Sequence, residues 1–217
     1  MIVGGSAGLG LALAERLQTD YRVTVTGRSD PNIAGVMFQK LDLTGTNGLS
    51  DRIRQVVEAV GQIDLLIYSA GFFQEGTITD LSEAQMYEML NVCLIGALDI
   101  TREILLQQGE LAEFIAITST SQYTPRKLEP LYTVAKAGLG MYANSLSLDE
   151  RVGKTLVAGP AGMKTKFHAG RTEDMSTYLD PEWAADQIMA IRSEAYRYKY
   201  VRILRDPAHI EVQETRA

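Results

Sequence analysis

Tyr132 and Lys136 stand four residues apart in the stretch Tyr-Thr-Val-Ala-Lys. On a helix that spacing puts both side chains on one face. A free phenol titrates at about pH 10, too high for it to be an anion at neutral pH. An ammonium beside it favours the phenolate and lowers that value. The pair therefore suits a general acid/base acting on a carbonyl or alcohol oxygen, with Tyr132 as the proton carrier. Ser119 lies thirteen residues earlier, just past the apolar run FIAIT, and offers a second hydroxyl to the same oxygen. Plainer readings stand beside these. The chain has ten tyrosines, so the Tyr–Lys spacing arises easily by chance, as a surface pair. Thr118, Thr120 and Ser121 surround Ser119, and such Ser/Thr clusters also mark turns.

The second chemical feature is the turn Gly4-Gly5-Ser6-Ala7-Gly8-Leu9-Gly10 near the start. Glycines at positions 4, 8 and 10 follow a strand pattern and open a helix pattern. Such a turn lets backbone approach a pyrophosphate closely, and the helix N-terminus holds its charge. The end of the next strand reads Thr26-Gly27-Arg28-Ser29. NAD-type sites carry an acidic residue there for the ribose 2′-hydroxyl. Here Arg28 instead offers a guanidinium to a 2′-phosphate, so NADP(H) is favoured over NAD(H); the alternative is a solvated surface arginine. Asp42, after the third strand, suits the adenine amino group, or equally a helix cap or turn.

Elements that could position these groups follow from the hydrophobic pattern. Short β-rich runs at 1–3, 21–26, 36–41, 63–68, 114–118, 155–158 and 200–204 alternate with helical patterns at 11–17, 49–60, 81–107 (in one or two pieces), 130–149 and 181–196. Alternation of this kind predicts an α/β fold: a Rossmann-type, doubly wound parallel sheet of about seven strands with helices on both faces. Residues 1–217 read as a single dinucleotide-binding domain. Ligands of such sheets bind at the carboxyl ends of the strands. Segments 4–10, 27–29, 42–44, 69–73, 119–127 and 159–168 follow strands and share that edge. They bring Ser6, Leu9, Ser29, Leu43, Ser69, Ala70, Gly71, Pro160, Gly162 and Met163 into the expected cofactor-binding set. The irregular stretch 164–180 lies on the same edge and reads as a substrate-loop lid.

Composition narrows the partners. Net charge is −6 with no basic stripe, which argues against nucleic acid. No apolar run reaches the roughly 18 residues of a membrane span, and no signal-peptide pattern opens the chain. Cys93 is the one cysteine, and the two histidines, His168 and His209, stand far apart. No metal-ligand spacing results, and a cytoplasmic setting is expected.

Taken in order, these motifs resemble the short-chain dehydrogenase/reductase family, in its small single-domain form, from Gly4 to about Thr165. The family's TGxxxGxG appears as Val3 to Gly10, its YxxxK as YTVAK, its serine as Ser119, its NNAG as Tyr68-Ser69-Ala70-Gly71, and its PG…T segment as Pro160 to Thr165. The resemblance implies an NAD(P)-dependent oxidoreductase. Tyr132 would exchange the proton, Ser119 would orient the oxygen, and Lys136 would tune Tyr132 and, with it, bind the nicotinamide ribose. Thr165 would touch the nicotinamide carboxamide. Members usually pair through helices, so a homodimer or homotetramer is expected, with Tyr142, Leu146 and Leu148 on a fitting helix. Four departures stand out. Cys93 occupies the place of the family's fourth catalytic residue, an Asn that holds a water in a proton relay; its plain reading is a packed small residue. Tyr68-Ser69 replaces the Asn pair, Pro-Ala replaces Pro-Gly at 160–161, and only three residues precede Gly4.

Phe72, Phe73, Gln122, Tyr123, Met163 and Phe167 fall on the expected substrate side, together with Met175 and Tyr178. They point to a small apolar or aromatic carbonyl compound, though aromatic residues after strands also pack simply as core. Arg126 and Lys127 would meet an acidic group or carrier protein, or lie in a solvated loop. The leading expectation is a carbonyl reductase or alcohol dehydrogenase. A dinucleotide sensor or scaffold that keeps the fold is the alternative. A nucleotide-sugar epimerase shares YxxxK but needs a larger C-terminal part.

Overall fold

A computed structural model describes residues 1–45, 47–168 and 174–217. Eight strands form one sheet: β1 (Ile2–Val3), β2 (Thr24–Gly27), β3 (Met37–Lys40), β4 (Leu65–Tyr68), β5 (Leu111–Ile117), β6 (Val152–Pro160), β7 (Tyr198–Leu204) and β8 (His209–Arg216). Their order is β3-β2-β1-β4-β5-β6-β7-β8. The first seven run parallel, as the pattern predicts. The eighth strand was not expected. It pairs antiparallel with β7, and its sequence, His-Ile-Glu-Val-Gln-Glu-Thr-Arg, is mostly exposed. An edge strand of that kind carries too few apolar residues to register as a buried run.

Strand alternation assigns the helices to two faces. Leu66 and Tyr68 of β4, Phe114 and Ala116 of β5 and Val157 of β6 pack on one side, with α2 (Leu49–Val60), α4 (Gly96–Gln108) and α5 (Pro130–Leu146). Ile67, Ile115, Ile117, Leu156 and Ala158 face the other side and meet α1 (Gly8–Leu17) and α6 (Pro181–Arg192). Arg16 of α1 reaches Glu182 and Asp186 of α6 at 2.5 Å each. The sheet is therefore doubly wound, and its strand order reverses between β1 and β4. That switch point is where such sheets open a ligand crevice.

The helical stretch predicted over 81–107 is broken. α3 (Glu83–Leu90) opens with a capping box between Ser82 and Gln85. It runs into a π turn over Asn91–Ile95 before α4 begins. A π turn inserts one residue and frees a carbonyl from the helical ladder. The Tyr68 hydroxyl donates to the Val92 carbonyl at 2.7 Å, fully buried. Gly96 makes room for that hydroxyl: a Cβ there would lie 2.4 Å from Tyr68 Oη. Tyr68, where the resembled family has Asn, thus braces β4 against the π turn.

Beyond the end of β6 at Pro160, Met163 and Leu179 pair in an isolated parallel bridge outside the sheet. Lys164 N–H donates to the Leu179 carbonyl and Leu179 N–H to the Gly162 carbonyl, both at 2.9 Å. The 164–180 stretch is thereby closed at its base. Residues 169–173 of the expected lid lie outside the described residues.

Candidate active site

The glycine turn sits at the switch point. Gly4 adopts φ +79°, and a Cβ there would be 2.6 Å from the backbone of Ala70. A side chain would therefore meet both backbone strain and a backbone clash. Gly10 stands inside the turn, where a Cβ would be 2.3 Å from the Gly4 carbonyl oxygen; its role is close packing of turn and helix. α1 has no side-chain cap at its N-terminus and no acidic residue in its first turn. Its first N–H groups are therefore available to an anion.

One cleft of about 690 Å³ runs along the carboxyl edge of the sheet. It brings together most of the predicted cofactor residues: Gly4, Ser6, Gly8 and Leu9 from the turn, Arg28, Asp42 and Leu43, then Ser69, Ala70 and Gly71. Pro160, Gly162, Met163 and Thr165 complete that lining, together with Ser119, Tyr132 and Lys136. Ser29 is exposed and does not line the cleft. Asp42 is half-committed: its Oδ1 accepts from the Thr44 N–H at 3.0 Å and the Thr44 hydroxyl at 2.8 Å, which holds its carboxyl below the ordinary range. A dinucleotide suits this lining, which combines the uncapped N-terminus of α1 with a cationic rim at Arg28.

Ser119 ends the extended chain after β5 and caps a short 3₁₀ turn, where its Oγ accepts from the Ser121 N–H at 3.1 Å. Pro130 opens α5 and sets Tyr132 and Lys136 on its inner face. Tyr132 and Ser119 line the same cleft. Burial pushes the Tyr132 phenol well above the ordinary value, the Cys93 and Glu129 side chains add to that, and the Ser119 hydroxyl pulls the other way. Lys136 Nζ donates to the Ile117 carbonyl at 3.0 Å and lies 5.7 Å from the centre of the Tyr132 ring. Burial lowers its ammonium from the usual lysine value. The expected lowering of the Tyr132 pKa by Lys136 is not found in the free protein, where burial dominates both groups.

Cys93 lies beside this pair. A Cβ built on Gly71 would be 3.3 Å from Lys136 Nζ and 3.6 Å from Cys93 Sγ. The thiol is fully buried, donates to Met89 Sδ at 3.5 Å, and is held above its ordinary pKa by burial. It packs with Met89, Tyr132 and Ala135, as its plain reading has it. Asn91, at the first position of the π turn, is buried with its Nδ2 lacking any acceptor among the described residues.

The predicted substrate residues divide. Phe73 and Phe167 place their rings 6.1 and 5.9 Å from that of Tyr132, and Phe72 and Met163 also line the cleft. Gln122 and Tyr123 do not. Gln122 packs against α5, where a Cβ on Gly140 would be 2.5 Å from its amide. Tyr123 is stacked under Arg202, whose guanidinium carbon lies 3.6 Å from the ring centre. The 3₁₀ turn after Ser119 rotates both away from the sheet edge. Sequence reasoning missed Glu129 and Arg205 on the cleft wall. Glu129, one residue before Pro130, accepts from Ser121 Oγ at 3.1 Å.

The family model described as short chain dehydrogenase matches residues 1–176. The chain belongs to that family, whose members are oxidoreductases that use nicotinamide cofactors. Among relatives, it is 29% identical over 150 residues to the 3-oxoacyl-[acyl-carrier-protein] reductase MabA of Mycobacterium avium, covering 68% of this chain and 59% of that protein. It is 24% identical to carbonyl reductase family member 4 of Xenopus tropicalis, over 90% of this chain and 91% of that one. In fold, it is similar to a short chain dehydrogenase from Burkholderia cenocepacia solved in complex with NADP, with TM-score 0.77 and 21% identity over 93% and 94% of the two chains. Among the described residues, no helix is long and apolar enough to cross a membrane, and no cluster of metal-ligating side chains occurs.

Proposed function

We propose that the protein is an NADP(H)-dependent carbonyl reductase or alcohol dehydrogenase acting on small apolar or aromatic substrates. The observation that carries this reading is the convergence of Ser119, Tyr132 and Lys136 on one cleft, with Lys136 buried and bonded to the Ile117 carbonyl. Ser6, Arg28, Ser69 and Thr165 would hold the dinucleotide, which supplies or takes up the hydride when bound. Ser119 donates a hydrogen bond to the substrate oxygen and fixes its position. Tyr132 gives its phenolic proton to that oxygen in reduction and receives it in oxidation. The phenol is protonated at neutral pH, as proton donation requires. Phe72, Phe73 and Phe167 shield the reacting oxygen from water. Arg28, exposed and on the cleft rim, supports preference for the 2′-phosphate.

The same reading takes residues 1–217 as one cytoplasmic domain with a substrate lid over 164–180. A homodimer or homotetramer would pair along α5, where exposed Val134 and Met141 stand seven residues apart and exposed Leu148, expected on this helix, lies just beyond its end at Leu146. The test is NADPH oxidation against ketones, aldehydes and quinones. Tyr132→Phe should lose at least a hundredfold in kcat/KM, within the range of general acid catalysis. Turnover unchanged in that variant refutes the assignment.

A second reading, an NADP(H)-binding sensor or scaffold, draws on Cys93. Its thiol is turned to Met89 and offers Lys136 no water-holding amide. Tight NADPH binding with no turnover on the whole panel would select it.

A further inference from the structure

We infer that Arg205 is an anion-binding residue of the substrate half of the cleft, and that the preferred substrates carry a carboxylate on an apolar body. This rests on the oxidoreductase reading above and narrows its substrate class.

Arg205 follows β7 directly, at the ligand edge of the sheet, and lines the same cleft as Ser119 and Tyr132. Its guanidinium is stacked 4.1 Å over the ring of Tyr178. Tyr178 is itself wedged in place: a Cβ on Gly162 would be 2.7 Å from its ring. The stack fixes the plane of a fork that matches a carboxylate in two-point geometry.

What the fork lacks is an acceptor. Arg205 Nη1 is buried without a hydrogen-bond partner among the described residues. Comparable stacks elsewhere in the molecule have a protein carboxylate beside the guanidinium, although Arg202 Nε and Arg216 Nε also lack a hydrogen-bond partner among the described residues. Arg192 over Tyr21 bonds Glu113 at 2.8 Å. Arg202 over Tyr123 has Glu211 at 4.0 Å. Arg216 over Tyr198 meets Asn144 and lies 3.2 Å from Glu214. Arg205 is the stack of this set that borders the cleft, and no ion pair supplies its missing acceptor among the described residues. A buried guanidinium donor left unpaired is costly, and an anion entering the cleft removes that cost. Phe73 and Phe167 pack about the Tyr132 ring and line the same cleft as Tyr178 and Arg205, which gives the cleft an apolar wall. The ligand class that fits is an aryl or alkyl chain bearing a carboxylate at one end and a carbonyl or alcohol elsewhere.

The other source of an anion is the cofactor's own phosphate, so the experiment separates the two. Calorimetric titration of 3-phenylpropanoate and 3-phenylpropanamide into the NADPH-loaded protein compares acid with neutral isostere. The acid should bind about tenfold tighter or better, the scale of one charge-assisted hydrogen bond. Arg205→Gln should bring acid and amide to equal affinity, with the affinity for NADPH within about twofold of the parent, below the scale of one lost hydrogen bond. Arg205→Lys, which keeps the charge without the planar fork, should retain part of the preference and guards against a folding defect in the first variant. Equal binding of acid and amide by the parent, or no binding of the acid, overturns the assignment. Loss of NADPH affinity in Arg205→Gln with the acid preference intact overturns it too, and gives the anion to the cofactor. An acid preference that persists in a protein without turnover would leave this site standing while the catalytic reading falls.

Discussion

Replacing Gly96 by Ala tests the brace between β4 and the π turn. The added Cβ would sit 2.4 Å from Tyr68 Oη, 3.1 Å from the Asn91 carbonyl oxygen and 3.2 Å from a Leu43 methyl. The first contact cannot survive, and Tyr68 is fully buried, so the phenol has nowhere to swing. Overpacking of this kind costs about 1–3 kcal/mol, while Ala in place of Gly in a helix returns about 0.5–1 kcal/mol. The net expected loss is therefore about 1–2 kcal/mol, or roughly 2–8 °C in Tm for a chain of this size. Tyr68→Phe alone should cost about 1–3 kcal/mol, because it strands the buried Val92 carbonyl. With Tyr68→Phe already in place, the 2.4 Å contact is gone and the nearest remaining atoms lie at 3.1 Å and beyond. Gly96→Ala should then be close to neutral. The double-mutant cycle, read by urea melts, should give a coupling of about 1–2 kcal/mol. Additive effects within about 0.5 kcal/mol would show that Tyr68 and Gly96 do not form one unit.

Other perturbations follow the same geometry. Lys136 is buried and its ammonium is held below the usual value of 10.5. The unfolded chain binds that proton more tightly, so the penalty is complete below the folded-state pKa and fades as pH climbs to 10.5. Lys136→Met should gain stability over the cofactor-free parent at neutral pH, and denaturant melts should show that gain shrinking toward about pH 10; a pH-independent difference would contradict the burial argument. Arg28→Ala should weaken NADPH binding by about tenfold or more and leave NADH within about twofold, given the strength of charge-assisted hydrogen bonds; equal losses would sink the 2′-phosphate assignment. Cys93, buried with a raised pKa, should react with iodoacetamide at about pH 7.5 only in denaturant; rapid labelling of the folded chain would place it outside the core.

Much of this architecture was legible in the sequence because it obeys simple periods. The central parallel strands β4, β5 and β6 are runs largely buried on both faces, and the glycine turn has a steric reason at Gly4 and Gly10. The convergence of Tyr132, Lys136 and Ser119 on one cleft could be anticipated, since four residues of helix and one strand end suffice to bring them together. What could not be read had other causes. The β8 strand is held by pairing with β7 rather than by an apolar face. The π turn leaves no compositional mark, and only the meeting of Tyr68 with Gly96, 28 residues apart, reveals its brace. Gln122 and Tyr123 were misplaced because a 3₁₀ turn rotates side chains by an amount that strand-end counting ignores. Arg205 was invisible because its stacking partner, Tyr178, comes from a different loop.

The paired hydrogen bonds between Gly162, Lys164 and Leu179 have a consequence for how such a protein can diversify. They turn the connection from β6 to α6 into a stem whose two feet are bonded to each other just beyond the end of β6. The entropy of closing a loop grows only logarithmically, about 0.6 kcal/mol per doubling of length. Residues can then be inserted or deleted above the stem at little thermodynamic cost, without disturbing strand register or the Tyr132 geometry. Substrate range and fold stability are in this way inherited separately. A lineage is free to explore new ligands through one segment while its catalytic groups and nucleotide turn stay fixed.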